Sequence, residues 1–487
     1  MGASSLSKKA YVDSHPKQLS SKMENNSDSS SISNTEAPNK KFSNISMNIV
    51  SLRAEYFEEE GQISTGDPIY CKHCHCALNI YSSTQISYDQ NDSKWKCEFC
   101  NHDNLIQIVS DEIPKEPIVT YLESNPNQLV EEQKMISQVI EDPTIIFCID
   151  ISGSMNSKVT SLDKVSLNEN TIQLLSSPPK ISRLDCVKIA ISSQLSKIEK
   201  ANPNAKVGFV TFGDSVNVYG DKIQCKENDG ITGAILNNYE ALIEKGSAFF
   251  QTHFNNPISK TISILLNNLK AFNTSGVTAL GPALTISSSI ASKGKPGSKV
   301  IICTDGIANR GIGKIGPHNP NSNNEARIFY NNIGNYAKHM GLVISLITIA
   351  DTRCRLDLLS PTANLTNGDI VKVNPLLLDK NFGEILSEKL IATNSSVEVH
   401  LPLPFSFTQE DETLLKNDNS VLIKEIGNAT KDTIITFEYE IKPDFELQKL
   451  NIDKSIIKSI TFQALIYFTT MNNKKCIRAI TKKRNFS

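Results

Sequence analysis

Asp150, Ser152 and Ser154 stand at alternate positions directly after an apolar run, residues 145–149, in the stretch TIIFCIDISGSMNSK. A core strand that ends in an acid and two hydroxyls, with Gly153 permitting tight backbone between them, delivers three oxygen ligands to its own tip. Hard oxygens of this kind suit Mg²⁺ or Mn²⁺, which take octahedral oxygen coordination and retain some of their waters. Alone the pattern is weak, because Asp, Ser and Gly are what loops are made of. Two later stretches strengthen it. SGVTALGPAL sets Thr278 in a loop just before a helix start with Pro282 in its first turn. KVIICTDGIANRG repeats the order of apolar run and then acid, with Asp305 followed by Gly306. Two strand-end acids, two serines and a loop threonine complete a sixfold oxygen site once water is added.

A second chemistry lies upstream. Cys71-x2-Cys74 and Cys97-x2-Cys100 are two knuckles whose four thiolates make a closed tetrahedral Zn²⁺ site, structural because no position is left for water. His73, His75, Cys76 and His102 lie beside a complete set and are expected not to ligate, although Cys76 could exchange with Cys74. A two-zinc ligase domain of the RING type needs eight ligands and is excluded by that count. His253, His318, His339 and His400 read as ordinary loop or surface histidines, and no base stands poised beside a nucleophile. The expectation is a protein without enzymatic activity.

Positioning Asp150 and Asp305 together requires an α/β sheet whose strands end at one edge, where ligands bind in such folds. The strand candidates are residues 145–149, 206–212, 299–304 and 342–350. Leu184, Val187, Ile191, Leu195 and Ile198 recur at helical spacing between the first two, and Ile258, Ile262, Leu265 and Leu269 mark a second helix. Unbroken apolar strands between helices predict a mostly parallel, Rossmann-like sheet covered on both faces. Past residue 395 the period becomes two: SSVEVHLPLPFSF, DTIITFEYEIKP and SITFQALIYFTT read as antiparallel strands of a small β-sandwich. The domain plan is therefore a disordered tail over 1–45, a strand for the sandwich in 46–68, a zinc ribbon over 69–105, a proline-bearing linker over 106–141, the α/β domain over 142–393 and the β-sandwich over 394–487.

The 487 residues carry 52 acids against 50 bases, a net charge of −2, so no whole-chain field points to nucleic acid. No window approaches the roughly 18 apolar residues of a membrane span, and the N-terminus lacks a secretory core, so a cytoplasmic chain with reduced thiols is expected. Gly2 after Met1 invites N-myristoylation, but Leu6 stands where Ser or Thr is required and Ser7 comes one place late, which argues against it.

The five oxygen-bearing residues resemble the metal-ion-dependent adhesion site of von Willebrand factor A domains. That resemblance implies that Ser152, Ser154 and Thr278 ligate the ion directly, that Asp150 and Asp305 act mainly through water, and that a partner's Asp or Glu carboxylate fills the open position. CKHCHCALN with WKCEFCNHDN resembles the zinc ribbon of COPII inner-coat subunits. Those proteins share the order of ribbon, trunk and return strands, which implies a small GTPase or coat subunit as partner and a place at the periphery of ER or vesicle membranes. FVTFGDSVNVYGD, GVTALGPAL, GSKVIICTDGIANRGIG and CRLDLL are similar to circularly permuted Ras proteins, over residues 66–487. The GTPase half of that likeness is missing: there is no G-x4-G-K-[ST] and no N-K-x-D, and the D-x-x-G of Asp150 to Gly153 belongs to the metal set.

Overall fold

The computed structural model describes residues 48–58, 61–85, 93–108, 112–122, 143–159, 181–222, 230–316, 320–349 and 354–486; the expected tail, most of the expected linker and His318 lie outside them. In chain order, β1 (Asn48–Arg53) and β2 (Gln62–Thr65) come first. A three-stranded antiparallel ribbon follows, built of β3 (Ser83–Gln85), β4 (Ser93–Lys96) and β5 (Asp103–Ile106), with Trp95 wholly buried at its centre. Next comes β6 (Ile118–Leu122), which corrects the reading of residues 106–141 as a linker. Its sequence, IVTYL, is buried on both faces and pairs with the last strand of the chain. Pro114 and Pro117 disguise it, yet Pro117 stands before the strand, where its carbonyl accepts from Thr481 N at 2.8 Å and its missing N–H costs nothing.

The α/β domain runs β7 (Thr144–Asp150), α1 (Arg183–Ala201), β8 (Lys206–Phe212), β9 (Val216–Tyr219), α2 (Tyr239–His253), α3 (Ile258–Ala271), α4 (Leu280–Ala291), β10 (Lys299–Thr304), α5 (Pro320–His339), β11 (Val343–Ile349), α6 (Leu356–Thr366), β12 (Ile370–Val373) and α7 (Leu378–Ser387). The sheet order is β12-β11-β10-β7-β8-β9, parallel except for β9 at one edge. Alternation along each strand feeds two cores. Ile146, Cys148, Val300 and Ile302 face α2, α4, α5 and α6, whereas Phe147, Ile149, Ile301 and Cys303 face α1, α3 and α7. Both faces being apolar, the strands lose the polar alternation of a half-exposed sheet. Lys299, at the foot of β10, is buried and donates to the carbonyls of Ile385, Leu386 and Glu388 at 2.5, 3.3 and 2.6 Å, closing the C-terminal end of α7.

The remaining elements are β13 (Leu390–His400), β14 (Phe405–Thr408), β15 (Leu415–Lys416), β16 (Val421–Thr430), β17 (Ile434–Ile441), α8 (Asp444–Lys449), β18 (Ser459–Thr470) and β19 (Lys475–Asn485). They form two sheets, β15-β16-β13-β18-β19-β6-β2 and β1-β17-β14, packed over a shared core that includes Val397, Phe405, Phe437 and Ile466. The sandwich begins at Leu390 rather than 394, and its β2–β6 pair is parallel. SSVEVHLPLPFSF is two strands in opposite sheets, because Pro402 and Pro404 interrupt any single ladder. The ribbon is tied to this sandwich by Gln463, which accepts from Ala77 N at 2.6 Å and donates to Ala77 O at 2.8 Å.

Candidate metal centres

The oxygen cluster forms where β7 and β10 run side by side. Asp150 is the last residue of β7 and Asp305 follows the last residue of β10, so adjacent parallel strands bring the two acids to one edge. Ser152 and Ser154 lie on the short turn after β7, and Thr278 precedes α4 by two residues. Ser154 Oγ donates to Asp305 Oδ1 at 2.6 Å and is 3.1 Å from Ser152 Oγ. Gly306 locates the centre of the group: a Cβ built on it falls 3.2 Å from Thr278 Oγ1 and 3.7 Å from both Asp150 Oδ2 and Ser154 Oγ. All five residues singled out in the sequence thus meet at one place. Asp150, Ser152, Thr278 and Asp305 are buried and Ser154 is exposed, so the cluster opens to solvent on the Ser154 side.

The loops that carry these residues are laced to one another. Gly153 N donates to Gly276 O at 3.1 Å, Ser275 N to Ile151 O at 2.7 Å, and Asn309 N to Thr278 O at 3.1 Å. Gly276 has φ +72°, and any side chain there would strike the Asp214 carboxylate, so glycine is required for this approach. Burial pushes the Asp150 carboxyl up to about 6, against the hydrogen bonds from Ser152 and Thr304 that favour its charge. A buried acid held in this way gains from a cation.

Three supporting residues were not singled out in the sequence. Thr304 Oγ1 donates to Asp150 Oδ2 at 2.6 Å, and Asn309 Oδ1 accepts from Thr278 N at 2.8 Å. Arg183, the first residue of α1, reaches Asp305 Oδ2 with Nη1 at 2.7 Å. Thr304 is adjacent to a predicted ligand and could have been found by that adjacency. Asn309 and Arg183 carry no such signal, since only the folded loops bring them near.

The residues present fit a hard divalent cation: every donor is oxygen, two are carboxylates, and the oxygens converge on a space that a single methyl carbon would intrude upon.

In the ribbon, the sulfurs of Cys71, Cys74, Cys97 and Cys100 all lie within 4.8 Å of one another. Cys71 to Cys100 and Cys74 to Cys97 are each 3.6 Å apart, against the roughly 3.8 Å edge of a tetrahedron with Zn–S bonds of about 2.3 Å. The two knuckles repeat one backbone plan. His75 N donates to Cys71 O and Asn101 N to Cys97 O, while Cys71 N donates to Cys76 O and Cys97 N to His102 O. His75 and Asn101 both take positive φ, 67° and 59°. Cys76 therefore closes the first knuckle as His102 closes the second; its sulfur, 3.3 Å from that of Cys97, lies outside the set of four. His75 instead faces Glu398, with Nδ1 3.5 Å from Oε2. His253 and His400 are buried, correcting their reading as loop or surface residues: the first sits at the end of α2, and the second lies on β13 with Nε2 3.2 Å from Glu398 Oε1.

Fold and ribbon together define a multidomain protein in which a von Willebrand factor A-type α/β domain is joined to a four-cysteine zinc ribbon and a β-sandwich. The chain belongs to the Sec23/Sec24 trunk family: the model of that trunk domain matches residues 141–390, and the model of the Sec23/Sec24 zinc finger matches residues 68–107. A curated relative, circularly permutated Ras protein 1 of Dictyostelium discoideum, is 30% identical over 445 residues, covering 89% of this chain and 50% of that protein. The chain thus spans about half the length of the curated relative it matches. Among solved structures it is similar to the human COPII-coat protein Sec24c, at 13% identity and TM-score 0.49 over 88% of this chain and 56% of that one. A von Willebrand factor type A protein from Catenulispora acidiphila is similar at 12% identity and TM-score 0.39, over 70% of this chain and 66% of that one.

Proposed function

We propose that the chain is a non-catalytic adaptor that binds an Asp or Glu side chain of a protein partner through a divalent cation, Mg²⁺ or Mn²⁺, held at Asp150, Ser152, Ser154, Thr278 and Asp305. The observation that supports it best is the convergence of Thr278, Asp150 and Ser154 oxygens about the face of Gly306. When bound, the ion supplies a positive centre with a coordination position for a carboxylate oxygen. The chain's part is to hold the oxygens ready. Thr304 and the Ser152 amide orient Asp150, Asp305 orients the Ser154 hydroxyl, and Asn309 fixes the loop of Thr278. The serine and threonine hydroxyls are neutral, so they leave the ion's charge for the incoming acid. The zinc ribbon braces the sandwich and takes no part in docking.

The test is affinity purification of the full chain in Mg²⁺ and in chelator, read by mass spectrometry. Partners are expected to be lost with chelator and with Asp150→Ala or Thr278→Ala, each variant keeping the wild-type circular dichroism spectrum. Retention of the same partners under all three conditions sinks the proposal.

A second reading follows from the Sec23/Sec24 family match: a vesicle-coat or ER-to-Golgi role in the cytoplasm, beside a small GTPase or another coat subunit at ER or vesicle membranes. Among the described residues no helix is long and apolar enough to cross a membrane. Failure to pellet with liposomes carrying a GTP-loaded small GTPase counts against it. GTP binding by degenerate motifs is the least supported reading, since the phosphate-cradling loop is missing from the sequence; a nucleotide-exchange fluorescence assay without signal removes it.

A further inference from the structure

Arg183 introduces a cation of the protein's own into the oxygen cluster. Its guanidinium donates to Asp305 Oδ2 at 2.7 Å, with the arginine side chain 22% exposed and the aspartate side chain fully buried. The arginine is held in place by its backbone. Ser182 caps α1 with a reciprocal bond to Asp185, and Arg183 N donates to Ser157 O at 3.0 Å, just beyond the turn that carries Ser154. The two carboxylate oxygens of Asp305 are thereby divided, Oδ1 to the Ser154 hydroxyl and Oδ2 to the guanidinium. The guanidinium brings a full positive charge to the cluster.

We propose that Arg183 stands in for the divalent cation when the site is empty of metal, and competes with that cation for Asp305 when metal is offered. With both acids ionised, the metal-free cluster carries Asp150 and Asp305 against Arg183, a net of about −1, where without the arginine it would carry about −2. The arginine accordingly keeps the cluster assembled without metal and weakens its hold on metal. The site is one that loads and unloads with divalent-ion concentration rather than one that is permanently filled. This rests on the cation site of the preceding section, and the experiment separates the two.

The test uses Mn²⁺ alone as probe, titrated into the full chain and followed by the electron paramagnetic resonance of the free ion, alongside thermal melts with and without Mn²⁺. Arg183→Gln is expected to tighten Mn²⁺ binding roughly tenfold or more, the scale of one unit charge acting on a divalent ion a few ångströms away in a water-like dielectric. Arg183→Lys, a shorter cation that makes no planar fork with a carboxylate, is expected to fall between wild type and Arg183→Gln. Without metal Arg183→Gln melts below wild type, and Mn²⁺ raises its melting temperature by more than it raises that of wild type. If all three proteins bind Mn²⁺ equally, or the variants bind it more weakly, the competition is refuted while the cation site stands. If none binds Mn²⁺, both fall. Should Arg183→Gln fail to fold with or without Mn²⁺, the comparison of Arg183→Lys with wild type decides, and an affinity no tighter than wild type overturns the proposal.

Discussion

Gly306→Ala tests the oxygen cluster without removing any of its oxygens. The glycine does not occupy the left-handed region, so alanine can adopt its backbone. The added Cβ meets Thr278 Oγ1 at 3.2 Å and Asp150 Oδ2 and Ser154 Oγ at 3.7 Å. A shift of a few tenths of an ångström at the threonine hydroxyl accommodates the methyl, so the expected cost in stability is no more than about 1 kcal/mol. The ion has less latitude. Mg²⁺ needs oxygens at about 2.1 Å in near-octahedral geometry and keeps water ligands of its own, and the methyl projects into the space these three oxygens share. Affinity for Mg²⁺ is therefore expected to fall at least ~100-fold, measured by isothermal titration calorimetry on the full chain, with urea melts reporting the fold. A folded Gly306→Ala protein that binds Mg²⁺ within about threefold of wild type would falsify this assignment of the ion to the space beside Gly306.

Two further outcomes concern the rest of the molecule. Cys97→Ser is expected to lose its zinc, and Cys76→Ala to keep one zinc per chain, checked by metal analysis after gel filtration; loss of zinc in both would make Cys76 a ligand. Burial lowers the Lys299 ammonium from 10.5 to about 8. Between those pH values the unfolded chain binds the proton that the folded chain has released, so wild-type stability rises with pH by up to ~3 kcal/mol from this group. Lys299→Met removes that rise, and urea melts that show the same change in unfolding free energy between pH 7.5 and 10 for both proteins contradict it.

The parallel sheet was legible in the sequence because strands buried on both faces read as unbroken apolar runs, and the boundaries of β8 and β10 fall on the expected residues. The helical register of Leu184, Val187, Ile191, Leu195 and Ile198 survives intact as the buried stripe of α1. What stayed hidden has physical reasons. β6 is five residues long and set among prolines, and its burial depends on β19, which lies more than 350 residues away in the sequence. β9 and β12 are four-residue edge strands with too little pattern to register. The five oxygen-bearing residues were legible because each is fixed by the end of a strand or the start of a helix. Arg183 was not: its long side chain crosses from another element, and no spacing in the chain announces where a guanidinium will come to rest.

The pairing of β6 with β19 means that the sandwich is stitched from both ends of the described chain, with the whole α/β domain threaded between them. During synthesis on the ribosome, the trunk has every strand of its sheet in hand long before residue 475 is made, whereas β6, paired only with β2, must wait with its other side open until the final hairpin emerges. A message cut short after the trunk would yield a sheet able to close but a nascent N-terminal segment with an open edge, which is the kind of surface that chaperones hold and aggregates recruit.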